Sequence, residues 1–151
     1  MNEDFRDLLA ALVEARVRFL IVGAHALAVH GLPRATGDID VWIEREPENA
    51  ARVFTALLRF GAPLGSLGVS EADLMKPDSV IQIGLPPRRI DVLTDITGGD
   101  FERAWAGRVT HPFAGLLVPF IGREDLLLNK RATGRLKDRA DVEALEGRSE
   151  D

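Results

Sequence analysis

Apolar residues recur with two different periods along the first part of the chain. Five of them follow helical spacing: Phe5, Leu8, Leu9, Leu12 and Val13. This spacing predicts a helix over residues 4–16. The run from Val17 to Val22 is apolar apart from Arg18 and rich in β-branched residues, which predicts a buried strand ending at Gly23. A short helix over residues 24–30, closed by Gly31, and a second strand from Asp38 to Ile43 follow.

The remaining two thirds of the chain continue this mixture of helical and strand patterns. Pro47 is predicted to open a helix that Gly61 closes, and a short helical turn is predicted to begin at Ser70. Further strands are predicted at 80–83, 89–93, 109–113 and 116–121, with a loop and short helix over 94–104. Pro112 and Pro119 suggest that the last two are edge strands. Two closing helices, over 123–132 and 136–145, flank Gly134. The pattern predicts an α/β (α+β) fold in which helices flank a mixed β-sheet.

Length and composition set the limits on this protein's class. A chain of 151 residues with 46% hydrophobic and 28% charged residues is typical of one globular domain. We therefore expect a single domain over residues 1–151, with a core at about 17–121 and a helical pair at about 123–146. The sequence has no cysteine and no apolar run near 18 residues, so we expect no disulfide, no membrane span and a cytoplasmic location.

Two acidic residues alternate with apolar ones on the second strand. Asp38 and Asp40 share one face of that strand, because side chains two residues apart point the same way. Asp91 has the equivalent position on the strand at 89–93, so it lies beside the pair if the two strands are neighbours. Clustered carboxylates repel one another unless cations compensate them, and Mg²⁺ prefers oxygen ligands. The alternative that stays open is that these aspartates lie on a solvated strand edge or in a turn and bind no metal.

Residues before the acidic strand suggest a phosphate site. Gly23 follows a strand and opens a helix, where backbone amides favour an anion, although a plain tight turn fits equally. Arg34 could hold a phosphate or pair with an acid to fix its loop, and Thr36 could position a metal or a phosphate oxygen. His25 could touch substrate or bond to the backbone at the helix start.

The segment from Lys130 to Asp141 is dense in charge. Asp138 and Asp141 share a helix face with Val142 and Leu145, which predicts that both acids are partly buried and need cationic partners. Lys130 or Arg135 could supply those partners, and Lys130 could then reach a triphosphate. A solvated charged hairpin is the alternative. Because the net charge is −5, a polynucleotide partner would need the local basic stretch from Arg123 to Arg139.

Four motifs in this order resemble the nucleotidyltransferase fold of the DNA polymerase β superfamily, and most nearly the small bacterial enzymes that include AbiEii-type toxins of type IV toxin–antitoxin systems. The motifs are Val22-Gly23-Ala24-His25-Ala26, the run from His30 to Asp40, Arg89-Ile90-Asp91-Val92-Leu93, and Asp125 through Lys130 to Asp141. The resemblance spans residues 17–146. It departs at Ala24, where many superfamily members have serine or glycine.

The resemblance implies an enzyme that moves a nucleoside monophosphate from an NTP to a hydroxyl. Asp38, Asp40 and Asp91 would bind two Mg²⁺ ions, with Mn²⁺ as a substitute, and Asp91 would act as base. Gly23 would lie against the triphosphate and Lys130 would contact nucleotide phosphates, while Arg135, Lys137, Asp138 and Asp141 match the family's C-terminal charged motif without a fixed role. Together with the residues argued above, the candidate nucleotide-binding residues are Gly23, Ala24, His25, Arg34, Thr36, Lys130, Arg135, Lys137 and Asp138. The acceptor is open among an RNA end such as that of tRNA, a protein and a small molecule, and a cognate toxin or antitoxin is an expected partner. The alternatives are an antitoxin that adenylylates a partner protein and a catalytically silent nucleotide-binding or interaction module.

Overall fold

A computed structural model describes residues 3–85 and 88–147 of the chain. The α-helices are α1 (Glu3–Glu14), α2 (Gly23–Val29), α3 (Pro47–Phe60), α4 (Leu64–Leu67), α5 (Phe101–Ala106), α6 (Arg123–Thr133) and α7 (Leu136–Gly147). The strands are β1 (Phe19–Val22), β2 (Ile39–Ile43), β3 (Val80–Ile83), β4 (Ile90–Leu93), β5 (Val109–Phe113) and β6 (Leu116–Phe120). A 3-10 helix occupies Glu71–Met75, after the predicted start at Ser70.

The strands form one mixed sheet in the order β3-β4-β2-β1-β6-β5. β1 runs antiparallel to β2 and parallel to β6, and β4 runs parallel to β2. The predicted mixed sheet flanked by helices, with two helices at the C-terminal end, is confirmed. The short helix α4 was not predicted, because its four residues Leu64–Leu67 are too few to show a period.

The core lies between the sheet and the helices packed on it. Phe19, Leu20, Ile21 and Val22 of β1 are all buried, as expected for a strand covered on both faces. Phe5, Leu8, Leu9 and Leu12 of the predicted apolar stripe of α1 are buried, as is Ala11, whereas Val13 at the edge of that stripe is exposed. The predicted helix stop at Gly61 is confirmed by its left-handed backbone, with a φ of 96°.

The β5–β6 hairpin contains both of the prolines that suggested edge strands. Pro112 does lie on β5 at the edge of the sheet. Pro119 lies on β6, which is an interior strand, so that expectation is wrong for this residue. The sheet accommodates Pro119 because β6 meets β1 only around Phe120, opposite Ile21.

The helices and strands that carry the apolar residues are short, and the longest described helix is α3 with 14 residues. Among the residues that the structure describes, no helix is both long and apolar enough to cross a membrane.

Candidate active site

The parallel pairing of β2 with β4 brings two carboxyl groups side by side. Asp40 is directly opposite Asp91 in this ladder, and Ile39 is opposite Ile90. Ile39, Val41 and Ile90 point into the core and are essentially buried, so the aspartates point to the opposite face. The predicted neighbourhood of Asp91 and the acidic pair is therefore confirmed.

The carboxyl group of Asp40 lies in surroundings that disfavour its negative charge. Burial raises the pKa of Asp40 to about 6, and the neighbouring carboxylates of Asp91 and Asp38 act in the same direction. The Asp40 and Asp91 carboxyl groups are close enough to share a hydrogen bond when one of them is protonated. A cation bound at this face of the sheet would therefore stabilise the charged form of these aspartates.

Arg89 supplies part of that positive charge. Its Nε and Nη2 atoms donate to the two carboxylate oxygens of Asp91 at 2.8 and 3.2 Å. Its backbone N–H donates to Oδ1 of Asp38 at 2.9 Å, and Nη2 is 3.7 Å from Oδ2 of Asp38. Sequence reasoning quoted Arg89 only as part of a motif, although an arginine two residues before an aspartate on one strand shares its face.

The three aspartates are near one another but are not arranged as a finished cation site. Within residues 3–85 and 88–147, no group of three histidine or acidic side chains is positioned to hold a metal ion. Both oxygens of Asp91 already accept hydrogen bonds from Arg89. The metal role of Asp38, Asp40 and Asp91 stays a prediction.

Gly23 lies against the acidic cluster. Its backbone is left-handed, with a φ of 70°, and a Cβ atom at this position would collide with Oδ2 of Asp40. Glycine is therefore required here both for conformation and for space. Any ligand held by the Asp40 carboxylate would lie next to the start of α2, where Gly23 and Ala24 are the first two residues.

His25 is packed among aromatic rings beside the same cluster. Its ring meets Phe5 and Phe113 edge-on, with centroids 6.1 and 5.4 Å away. Burial lowers the pKa of His25, and a hydrogen bond to the backbone of Asp38 opposes that shift. This agrees with the alternative of a helix-start histidine bonded to backbone. Its Nε2 atom is buried and has no hydrogen-bond partner among the described residues.

The loop between α2 and β2 holds the two other predicted residues of this region. The Thr36 hydroxyl donates to the backbone carbonyl of Asp38 at 3.2 Å. The same hydroxyl oxygen accepts from the backbone N–H of Asp38 at 3.3 Å. The Arg34 guanidinium pairs with Asp141 on α7. Of the two interpretations given for Arg34, the structure shows the ion pair that fixes the loop.

The predicted burial of acids on the last helix is confirmed. Asp138 and Asp141 are almost fully buried, and Nζ of Lys130 lies 3.3 and 3.2 Å from their carboxylate oxygens. Arg135 and the Thr133 hydroxyl each donate to Oδ2 of Asp138 at 2.6 Å. The hydrogen bond from Arg135 holds the pKa of Asp138 well below its usual range. Lys137 is exposed, and it forms no ion pair with the described residues of this cluster.

Comparison with known proteins adds evidence at the level of the fold. No family model matches the sequence, and no curated protein matches it. The structure is similar to a crystal structure from Thermotoga maritima described as a putative nucleotidyltransferase, with a TM-score of 0.60 and 14% sequence identity. The match covers 95% of this chain and 88% of that one. The chain has a nucleotidyltransferase-like fold. At this identity the similarity concerns the fold alone, so any activity has to be argued from the side chains.

Proposed function

We propose that this protein is a metal-dependent nucleotidyltransferase that transfers a nucleoside monophosphate from an NTP to a hydroxyl group. The observation that carries the proposal is the in-register pairing of Asp40 with Asp91, next to Asp38 and the glycine turn, in a nucleotidyltransferase-like fold. In the transfer, the acceptor oxygen forms a bond to the α-phosphorus while the bond to the β-phosphate bridging oxygen breaks. Pyrophosphate leaves, and the acceptor proton passes to a base.

The donor set at this site fits a hard divalent cation. Carboxylate oxygens are the ligands that Mg²⁺ prefers, and burial together with the neighbouring carboxylates of Asp91 and Asp38 raises the pKa of Asp40, which a bound cation would lower again. Asp38 and Asp40 are the proposed Mg²⁺ ligands, with Asp91 completing the set. Bound Mg²⁺ ions would supply charge stabilisation for the attacking and leaving oxygens.

The protein's own residues have defined tasks in this proposal. Asp91 accepts the proton of the attacking hydroxyl, and Arg89 orients the Asp91 carboxylate through two hydrogen bonds. Gly23 leaves room for the Asp40 carboxylate and allows the NTP to approach the backbone at Ala24. Lys130, Arg135, Lys137 and Asp138 are the proposed phosphate-side residues of the C-terminal helices.

The direct test is the transfer of label from each of the four NTPs, with Mg²⁺ and a lysate or total-RNA acceptor pool. The wild-type chain should label an acceptor and release pyrophosphate, and Asp40→Asn should abolish both while the protein stays folded. Asp7→Asn is the matched control, because Asp7 is an exposed aspartate on α1. Unchanged transfer by Asp40→Asn would overturn the assignment.

The identity of the labelled molecule decides between versions of the same chemistry. Labelled RNA ends would support a toxin of the AbiEii type, whereas AMP on a co-purifying protein would support an antitoxin that adenylylates its partner. Labelled small molecules would indicate an enzyme of neither kind.

A silent nucleotide-binding module is the second candidate. It is favoured by one observation, the hold of Arg89 on both oxygens of Asp91, which leaves that carboxylate less free to take a proton. NTP binding without pyrophosphate release, over the same acceptor pool, would support this candidate.

A further inference from the structure

A cluster of charged and polar side chains around the buried Asp138 and Asp141 joins the C-terminal helices to the loop before β2. We call it the C-terminal charge cluster, and its members are Arg34, Lys130, Thr133, Arg135, Asp138 and Asp141. Arg34 and Asp141 are 107 residues apart in sequence. Arg34 lies four residues before Asp38, so this ion pair connects α7 to the segment that leads into the proposed metal site.

Within the loop over residues 31–38, the part from 33 to 37 has few other attachments, whereas Asp38 at its end is also held by Arg89, whose backbone N–H donates to Asp38 Oδ1 at 2.9 Å. At its start, Leu32 donates its backbone N–H to Leu27 at 2.8 Å, and at its end Ile39 donates to Arg89 at 3.0 Å. Between these points Thr36 bonds only to Asp38, two residues away, and so fixes the local turn alone. Among the residues that the structure describes, the Arg34 side chain makes the one ion pair from residues 33–37 to a distant part of the chain.

The buried acids do not need Arg34 for charge compensation. Asp141 already has Lys130 at 3.2 Å, and Asp138 has Lys130, Arg135 and Thr133. Without Arg34 the cluster still has two cations for two carboxylates. The Arg34 side chain is about one third exposed, whereas Asp141 is almost fully buried, so Asp141 is the fixed partner and Arg34 the one that is held.

We propose that Asp141 is a positioning residue, which holds Arg34 and thereby sets the position of Asp38 at the proposed metal site. The inference rests on the proposed function for the role of Asp38, but the contact itself does not depend on it. An outer residue that orients a ligand in this way typically changes metal affinity 10–100-fold, in order of magnitude, when it is replaced.

The test uses the full chain and two measurements. Mn²⁺ affinity is measured by titration, and the backbone amide resonances of Thr36 and Asp38 are followed by NMR without metal. Asp141→Asn and Arg34→Gln should each weaken Mn²⁺ binding by about 10-fold and shift or broaden those amides, and Arg34→Lys should recover part of the affinity. Arg34→Gln keeps the test decisive if the loss of a buried charge in Asp141→Asn prevents folding.

The matched control is Arg45→Gln. Arg45 follows the other end of β2, and its side chain is 38% exposed and pairs with Asp95. It should leave both readouts unchanged. Wild-type Mn²⁺ affinity together with unmoved Thr36 and Asp38 amides in both cluster variants would overturn the inference. If the wild-type chain binds no Mn²⁺, the proposed function fails instead, and the metal-free amide shifts still decide whether Asp141 positions the loop.

Discussion

At the scale of single residues, Asp40 is an acid whose charge the fold disfavours. Its pKa of about 6 in the folded protein is above the ordinary aspartate value of 3.8. Between these values the folded state binds more protons than the unfolded state, so the free energy of unfolding decreases as the pH rises through this window. Above about pH 6 the full penalty is present. A residue that destabilises the fold at neutral pH is typical of a functional site.

Asp40→Asn should therefore increase thermal stability above about pH 6, because it removes a repelled carboxylate and keeps an amide of the same shape. The gain should shrink as the pH falls toward about 4, where Asp40 is protonated in the folded wild-type protein. Melting temperatures at both ends of this range, with Asp7→Asn as control, measure the effect. A variant less stable than wild type at about pH 8 would contradict the prediction.

Gly23 permits a second residue-scale prediction, because the chain offers a glycine with the same backbone but open space. Gly23→Ala and Gly68→Ala both place a side chain at a left-handed φ, 70° and 68°, and each should cost about 1–2 kcal/mol in unfolding free energy. Only the Cβ of Gly23→Ala meets the Asp40 carboxylate, since nothing lies within 4 Å of the one at Gly68.

Gly23→Ala should consequently lose Mn²⁺ binding and nucleotide transfer, and Gly68→Ala should keep both. Chemical denaturation measures the change in unfolding free energy, and metal titration measures the change in Mn²⁺ affinity that is specific to the contact with Asp40. Equal Mn²⁺ affinities in the two variants would show that Gly23 matters for the backbone alone.

At the scale of elements, sequence patterns predicted what local periodicity controls. The apolar run before Gly23 predicted β1, and alternation on residues 38–43 predicted both β2 and the face that carries Asp40. The apposition of Asp40 with Asp91 followed only on the condition that their strands are neighbours. Local periodicity does not predict which side chains bind each other. The hydrogen bonds of Arg89 to Asp91 were not predicted, and the acid that pairs with Arg34, 107 residues away, was left open.

Asn49 is the clearest contact of this unpredicted kind. Its amide oxygen accepts from the backbone of Arg18 at 2.7 Å, and its Nδ2 donates to the carbonyls of Arg18 and Glu44 at 3.0 and 2.9 Å. This side chain is 2% exposed and connects α3 with the start of β1 and the end of β2. Nothing in the sequence distinguishes it from an ordinary polar residue in a first helical turn.

Asn49→Ala should lower the free energy of unfolding by about 2–4 kcal/mol, because it removes the partner of the Arg18 N–H and of the Glu44 carbonyl, both partly buried. The Arg18 carbonyl still accepts from the Glu44 N–H at 3.1 Å. Asn129→Ala is the control, since Asn129 donates one hydrogen bond, to the carbonyl of Thr97 at 2.8 Å, and should cost only about 1 kcal/mol. Denaturant unfolding of both variants makes the comparison. Similar losses would mean that Asn49 does not join the three elements.

At the scale of the whole molecule, the basic stretch from Arg123 to Arg139 is largely neutralised by the fold. Arg123, Lys130, Arg131 and Arg135 all form ion pairs with acids of α6 and α7. Lys137 and Arg139 are exposed and form none with the described part of the chain. The formal net charge of −5 is therefore not offset by a strongly basic surface in this stretch.

This charge distribution predicts weak binding to a polynucleotide backbone. Each phosphate neutralised on a single strand contributes about −0.7 to the slope of log affinity against log salt. If RNA binds along residues 123–139, the two cations of this stretch that form no ion pair with described residues give a slope of only about −1.4. Fluorescence anisotropy with labelled single-stranded RNA, between about 50 and 200 mM NaCl, measures that slope. The double variant Lys137→Gln, Arg139→Gln should bring this slope close to zero.

A steep salt dependence of RNA affinity, near the value for six or more phosphate contacts, would instead require that RNA binding breaks the ion pairs on α6 and α7. Because those ion pairs include Lys130 and Arg135, such a result would indicate that the C-terminal helices bind the acceptor directly. The shallow slope expected here favours an acceptor that is recognised by its shape or by a protein surface rather than along a phosphate chain.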